Sequence, residues 1–79
     1  MKISVKLLTT YRKKLPPGTT GNTCTLEVGE TYCVSDVLAY FEIPNDASSV
    51  ILVNGHSPQG NQRLQEGDEV CVYSAMAGG

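Results

Sequence analysis

The sequence is poor in the residues that metal sites, disulfides and nucleophilic enzymes require. Its cysteines, Cys24, Cys33 and Cys71, are odd in number and lack C-x-x-C spacing, so we expect reduced thiols rather than a disulfide framework or a zinc site. They also fall short of the four thiolates of a plant-type iron–sulfur cluster. His56, the single histidine, is interpreted as a solvated turn residue. Without a nucleophile–base pair or a metal constellation, the sequence argues against an enzyme in its own right.

Positive charge is scarce and unevenly placed. Five of the six basic residues lie in the first 14 positions, whereas the rest of the chain contains Arg63 and all eight acidic residues, for a net charge of -2. Phosphate binding needs several lysines or arginines on one face, so this composition argues against a nucleic-acid partner. The run Arg12, Lys13, Lys14 is predicted to be a solvated loop, and a docking contact for an acidic partner is the alternative.

Long apolar runs are also missing, and the chain is short. No run approaches the ~20 residues of a membrane helix, and residues 1–6 alternate instead of forming a secretion signal, so we expect a cytoplasmic protein without a membrane partner. A chain of 79 residues has room for one domain that buries only about 60% of its unfolded surface. Little interior remains for a deep active site, which favours a binding or carrier module. We assign residues 1–74 to the domain and residues 75–79 to a flexible tail.

Strands are predicted from the apolar pattern. Apolar and polar residues alternate over residues 2–8, 23–28 and 69–74, and each of these segments is predicted to be a strand. Residues 50–53 form a short run that is apolar throughout and rich in branched side chains, which favours a buried strand. Prolines and glycines within residues 9–22 predict a long loop.

One helix is predicted over residues 34 to about 42, because apolar side chains recur there at helical spacing. Cys33 or Ser35 is the expected N-cap, and Pro44 stops the helix. Leu64 is expected to enter the core from a turn before the last strand. The order of elements predicts an α+β fold, with one main helix packed across one face of a mixed sheet.

Two glycines, Gly78 and Gly79, close the sequence and are its most informative feature. Neither has a Cβ, so the tail can extend into a slot that is too narrow for side chains. Its terminal carboxylate can attack the α-phosphate of ATP and become an acyl adenylate, which is open to nucleophiles that include a persulfide. ATP, Mg²⁺ and the electrophilic stabilisation must then come from an activating enzyme. The alternative is a frayed end without a function.

A resemblance to a known family rests on motifs along nearly the whole chain. The chain resembles the MoaD/ThiS family of ubiquitin-like sulfur carriers. Its length and its ending look closer to MoaD, the small subunit of molybdopterin synthase. Two features depart from the family pattern: Ala75-Met76-Ala77 replaces a branched apolar residue before the glycines, and Cys33 stands where threonine is common. The matching motifs are Val34-Ser35-Asp36-Val37-Leu38, Ile43-Pro44, Val53-Asn54-Gly55, Leu64-Gln65-Glu66-Gly67-Asp68-Glu69-Val70 and Gly78-Gly79.

The resemblance implies a β-grasp fold with a sheet of four to five strands and a carrier role for the tail. The Gly79 carboxylate would be adenylated and then converted to a thiocarboxylate. The implied partners are an adenylyltransferase of the MoeB/ThiF kind, a persulfide sulfur donor, and an acceptor synthase subunit that is either MoaE-like or a thiazole synthase. The carrier itself would hold no cofactor and no metal, because ATP and Mg²⁺ are used by the activating partner. Sulfur donation would serve cofactor biosynthesis, with molybdopterin as the first expectation and thiamine thiazole as the alternative.

Other functions begin from the same tail or from the same fold. A ubiquitin-like modifier would join its terminal glycine to lysines of target proteins, and this route also starts with adenylation. A β-grasp electron carrier is disfavoured by the cysteine pattern. A free-standing binding domain, in which Gly78 and Gly79 have no function, remains the third alternative.

A partner interface is predicted beside the tail. If the first and last strands are neighbours, Leu8, Cys71 and Tyr73 share an outward face with the tail residues Met76 and Ala77. Exposed aromatic and methionine side chains are common at interfaces. The alternative is that loops of the monomer partly cover these side chains. Two further tyrosines are predicted to be surface or loop-packing residues, Tyr11 and Tyr40.

Overall fold

The computed structural model describes residues 1–75 and has the predicted α+β architecture. A 3₁₀ helix follows the first strand, and one α-helix lies between the second and third strands. The elements, in chain order, are β1 (Lys2–Leu7), the 3₁₀ helix (Thr9–Lys14), β2 (Thr23–Glu27), α1 (Val34–Tyr40), β3 (Ser49–Val53) and β4 (Glu69–Ser74).

The four strands form one mixed sheet in the order β2-β1-β4-β3. β1 pairs antiparallel with β2 and parallel with β4, and β3 pairs antiparallel with β4. The first and last strands are therefore the two central ones. Because β1 and β4 are parallel, they finish at the same end of the sheet, which we call the tail end. Their first residues, Lys2 and Glu69, lie toward the opposite end.

The core lies between one face of this sheet and α1. Alternation in β1 and β4 directs Ile3, Val5, Val70 and Val72 to this face, where each is at most 1% exposed. Leu64 enters from its turn and is also 1% exposed, as predicted. Each fully buried aliphatic side chain contributes roughly 1.5–3 kcal/mol relative to exposure, so these positions dominate the stability of the domain. Further core side chains come from the helix and its flanks, namely Val34, Val37, Leu38, Phe41 and Ile43.

The C-terminus of α1 is closed by a Schellman motif. Glu42 has a φ of 55° and its N–H donates to Ala39 O, while the Ile43 N–H donates to Leu38 O at 2.8 Å. These are the two bonds of the motif, and Ile43 and Leu38, which occupy the positions of its usual apolar contact, are both buried. The helix ends at Tyr40, before Pro44, because this turn has already reversed the backbone.

The N-cap of α1 is Cys33, one of the two predicted candidates. Its backbone N–H donates to Asp36 Oδ2 at 2.7 Å, so the carboxylate in the first helical turn satisfies the N–H of the N-cap. A carboxylate at this position is also favoured by the helix dipole. The Cys33 thiol donates to Thr31 O at 3.3 Å.

The segment predicted to be a long loop is partly ordered by the 3₁₀ helix. The prediction that Tyr11 is a surface or loop-packing residue is wrong, because its side chain is 8% exposed and belongs to the core. The 3₁₀ helix directs this ring toward the start of β3, where the Tyr11 hydroxyl is hydrogen-bonded to Ser49 Oγ. Tyr40, by contrast, is 58% exposed and packs edge-on against Phe41. None of the helices within residues 1–75 has the length and apolar character needed to cross a membrane.

Candidate functional site

The candidate site is the root of the tail, where the chain leaves β4. Four of its predicted residues, Met76, Ala77, Gly78 and Gly79, lie outside the described residues. The described part of the site consists of Ser74 and Ala75 and the segments that hold them.

Two hydrogen bonds hold the root from opposite sides. The Ser74 N–H donates to Thr9 Oγ1 at 2.9 Å, and the Ala75 N–H donates to Ser48 O at 2.9 Å. Thr9 lies two residues after the end of β1, and Ser48 directly precedes β3. The point at which the chain leaves the sheet is therefore set by both neighbours of β4.

Thr9, which accepts the hydrogen bond from Ser74, has an unusual backbone conformation. Its φ is 55°, a left-handed value that branched side chains rarely adopt and that costs roughly 1–3 kcal/mol. Its hydroxyl donates to Leu8 O at 2.6 Å, so the oxygen is free to accept from Ser74 N–H. The strain at Thr9 is thus associated with a bond that spans 65 positions of sequence.

The other side of the root is a turn tied down by Asp46. Oδ1 of Asp46 accepts from the Ser48 N–H at 2.8 Å and from Ser48 Oγ at 2.5 Å. These hydrogen bonds to the Ser48 hydroxyl and N–H lower the pKa of the Asp46 carboxyl below its ordinary value of 3.8. The turn that presents Ser48 O is therefore held by an ionised carboxylate.

The buried ring of Tyr11 joins the two sides. Ser49 Oγ donates its only proton to Pro44 O at 2.7 Å, so Tyr11 must be the donor in its 2.7 Å bond to Ser49 Oγ. Since Ser49 pairs with Ser74 across the sheet, this bond ties the 3₁₀ helix to the strands at the tail end. Besides β4, the root is consequently held by the 3₁₀ helix and by the turn before β3, neither of which the sequence analysis had assigned to it.

An apolar surface lies on the outer face of the sheet, away from α1. Register places Cys71 between Lys6 of β1 and Leu52 of β3, and places Tyr73 opposite Val50. Leu8 continues β1 on the same face, because its N–H still donates to Val72 O. These apolar side chains are all partly exposed. We call them the outer-face patch: Leu8, Val50, Leu52, Cys71 and Tyr73.

The outer-face patch contains two residues that sequence reasoning missed. Residues 50–53 were expected to form a buried strand, but β3 is an edge strand, and only its last residue, Val53, is buried. Val50 and Leu52 face outward. The available signal was the absence of alternation: a strand that is apolar on both faces presents one apolar face to the outside when only one face of the sheet is covered.

The thiol of Cys71 is a packing group in the outer-face patch. Burial raises its pKa above the ordinary value of 9.0, Lys6 acts in the opposite direction, and Glu69 raises it further. Burial likewise raises the pKa of Cys24 on β2. Both thiols are therefore protonated near neutral pH, and a protonated thiol is a poor nucleophile and a poor metal ligand.

Two solved structures resemble this fold along almost its whole length. SAMP1 from Haloferax volcanii matches with a TM-score of 0.76 at 17% identity, over 100% of both chains. A ubiquitin-like protein from the hyperthermophilic archaeon Caldiarchaeum subterraneum matches with a TM-score of 0.57 at 18% identity, over 96% of this chain and 97% of that one. The chain therefore has the ubiquitin-like β-grasp fold, as predicted. No protein-family model and no curated protein matches the sequence.

Proposed function

We propose that this chain is a sulfur carrier whose Gly79 carboxylate is adenylated and then converted to a thiocarboxylate. The observation that carries the proposal is the combination of a terminal Gly78-Gly79 with a ubiquitin-like fold that holds the root of the tail from both sides. A narrow tail on a rigid support suits delivery of a carboxylate into the cleft of another enzyme, because neither glycine has a Cβ to obstruct entry.

The proposed reaction divides the work between the carrier and its partners. The Gly79 carboxylate attacks the α-phosphate of ATP, forming an acyl adenylate and releasing pyrophosphate. The terminal sulfur of a donor persulfide then attacks the acyl carbon and displaces AMP, which leaves an acyl disulfide. A second thiol attacks the sulfur of the donor's own cysteine in this acyl disulfide, forms a disulfide with it and releases the thiocarboxylate. ATP and Mg²⁺ are bound by a MoeB/ThiF-like adenylyltransferase, which also stabilises the developing charge. The carrier supplies the carboxylate and a docking surface.

The outer-face patch is the proposed docking surface. Its side chains adjoin the tail root on β4, so an enzyme that grips the tail would also cover Cys71 and Tyr73. Aromatic residues are enriched at the centres of such interfaces. We extend the interface through Met76 and Ala77 to Gly79.

The first test is the intact mass of the protein after incubation with ATP, Mg²⁺, a persulfide donor and the adenylyltransferase. The expected change is replacement of one oxygen by one sulfur, which is lost when Gly79 is deleted. Persulfidation of a cysteine is distinguishable, because it adds a sulfur atom without removing oxygen. Since Arg63 is the last basic residue, cleavage with trypsin places the modified end in the peptide of residues 64–79. Release of pyrophosphate without a gain of sulfur would contradict the carrier role and favour a modifier.

Molybdopterin synthesis is the proposed destination of the sulfur, and thiazole synthesis is the alternative. The thiocarboxylated protein can be offered separately to a MoaE-like synthase subunit and to a thiazole synthase. Transfer is expected only with the MoaE-like subunit, with regeneration of the Gly79 carboxylate as the readout. Transfer to thiazole synthase alone would reassign the pathway and leave the carrier role intact.

A ubiquitin-like protein modifier is the second candidate function, and the likeness to SAMP1 favours it. SAMP1 is a small archaeal modifier protein. In that case Gly79 would form an isopeptide bond with lysines of other proteins. Mass spectrometry of cell extracts should then find lysines that carry the C-terminal peptide, and a Gly79 deletion should abolish them.

A further inference from the structure

A basic surface lies beside the tail root and is not used by the function proposed above. Arg12, Lys13 and Lys14 are all exposed, as predicted for a solvated segment, but they lie in a 3₁₀ helix and not in a loop. They form the last turn of the 3₁₀ helix, which the buried ring of Tyr11 anchors to the core. Their backbone is therefore held in place, and the three cations project from a fixed support.

The position of this surface relative to the tail follows from the contacts of the helix. Thr9, its first residue, accepts a hydrogen bond from the Ser74 N–H, and the Tyr11 hydroxyl donates a hydrogen bond to Ser49 Oγ. A 3₁₀ helix rises about 2 Å per residue, so Lys14 lies within ~10 Å of Thr9 along the axis. The backbone of all three basic residues is consequently within ~10 Å of Thr9 along the helix axis, and Thr9 is hydrogen-bonded to Ser74 at the root of the tail.

Four of the eight acidic residues lie toward the other end of the sheet, namely Glu27, Glu66, Asp68 and Glu69. Glu27 lies opposite Lys2 in the register of β1 and β2, and Glu66 Oε1 accepts from the Lys2 backbone N–H. β1 spans about 17 Å from this end to the tail end at ~3.3 Å per residue, which is twice the Debye length of about 8 Å in physiological salt. These carboxylates are therefore screened from the basic surface. At the tail end, Asp46 is ionised and bonded to Ser48.

We propose that Arg12, Lys13 and Lys14 are a docking surface for an acidic rim of the cleft that receives the tail in the adenylating enzyme. The inference rests on the proposed function and adds the chemistry of the partner. Exposed charges of opposite sign steer two proteins together and act mainly on the association rate. Here they orient the carrier with its tail toward the cleft. Nucleic acid is the less suitable partner, because three cations neutralise few phosphates and a tail beside them would have no role.

The test compares two variants with the same net charge. The triple variant R12Q/K13Q/K14Q removes the basic surface, and its control S57E/Q59E/Q65E adds three negative charges at exposed positions toward the opposite end. Each variant lowers the net charge by three. The readout is release of pyrophosphate by the adenylyltransferase at low and at high salt, with far-ultraviolet circular dichroism to confirm folding of both variants.

We expect the triple glutamine variant to raise KM about ten-fold at low salt with little change in kcat, since each exposed ion pair contributes a few-fold. Its kcat/KM should lose most of the salt dependence that the wild type shows, whereas the control and the charge-preserving variant Arg12→Lys keep it.

Equal KM values and equal salt slopes for the triple variant and its control would overturn the docking inference, while the carrier function would stand. Salt-dependent binding of a single-stranded oligonucleotide that disappears in the triple variant, with adenylation unaffected, would reassign the surface to nucleic acid. If the wild type itself releases no pyrophosphate, the proposed function fails and the docking inference fails with it.

Discussion

At the scale of single residues, Thr9 combines local strain with a long-range role. Among residues 1–75 it is the one β-branched residue with a positive φ. Its hydroxyl is also the acceptor for the first amide of the tail root. Strained backbone persists where the surrounding structure over-determines it, and here the surroundings are β1, β4 and the 3₁₀ helix.

Substitution of Thr9 tests whether its hydroxyl holds the root. Thr9→Ala should speed hydrogen exchange of the Ser74 amide by roughly two- to five-fold, because the change removes one exposed hydrogen bond of ~0.5–1 kcal/mol. Thr9→Ser keeps the hydroxyl and should leave the rate near that of the wild type. The measurement is amide exchange followed by NMR. An unchanged rate in the alanine variant would mean that other contacts alone hold Ser74.

Protonation of Asp46 should loosen the other side of the root. Its pKa is lowered in the folded protein, so its stabilising contribution is complete above the unfolded value, near 3.8, and is lost as the pH falls through the lower folded value. The Ser48 amide resonance should therefore titrate with a midpoint below 3.8, because this N–H donates to the carboxylate. The variant Asp46→Asn should abolish the titration. A midpoint above 3.8 would contradict the hydrogen-bonding pattern.

At the scale of elements, α1 shows how a short helix is closed at both ends. At the N-terminus the Asp36 carboxylate accepts a hydrogen bond from the N-cap N–H. At the C-terminus the Schellman motif at Glu42 and Ile43 satisfies two backbone carbonyls. Seven residues form too short a helix to be stable by themselves in water. The caps and the apolar stripe against the sheet together hold it in place.

The C-terminus of α1 offers a stabilising substitution. Glu42 is exposed and has a φ of 55°, where glycine is favoured because it has no Cβ. Glu42→Gly should raise the free energy of unfolding by about 0.5–1 kcal/mol, measured by urea denaturation. The matched control is Ala39→Gly, an exposed position inside the helix, which should lower the free energy by a similar amount. Destabilisation by both variants would show that the left-handed conformation at residue 42 is not required.

At the scale of the whole molecule, the sheet has one covered face and one open face. α1 covers the inner face, and the outer face is apolar only on its β4 and β3 side. On β2 the outward residues are polar, including Thr23 and Thr25. The apolar half thus lies on the strand that continues into the tail and on its edge neighbour, with Leu8 beyond the end of β1, which fits a partner that binds the tail and the face together.

A charge placed in the outer-face patch should weaken binding of the activating enzyme without unfolding the domain. Leu52→Asp is expected to lower kcat/KM for adenylation by roughly ten-fold or more, because a carboxylate would be desolvated in an apolar interface. Thr25→Asp places the same charge on the polar half of the same face and should have little effect. Pyrophosphate release and thermal unfolding measure the two consequences. Equal activity of both variants would exclude the patch from the interface.

Much of the fold could be predicted from the sequence, because the spacing of apolar residues within a strand or helix indicates which of its faces is buried. Alternation identified the inward residues of β1 and β4, and helical spacing identified those of α1. Leu64 was predicted to be a core residue because it is an isolated apolar side chain in a polar turn. Each of these predictions needs only a few neighbouring residues and a known period.

Only the tertiary structure decided which distant segments meet at the tail. Tyr11 joins the core because the 3₁₀ helix directs its ring toward the start of β3, an arrangement that no local period encodes. Val50 and Leu52 face outward because β3 is an edge strand, and strand order depends on non-local pairing. Thr9, Ser48 and Ser74 converge for the same reason, since hydrogen bonds between remote segments leave no pattern in either segment. The sequence by itself determined the four strands, the α-helix, the inward side chains of β1, β4 and α1, and the diglycine end. Tertiary packing decided that the 3₁₀ helix brings Tyr11 into the core, and how the root of the tail is held.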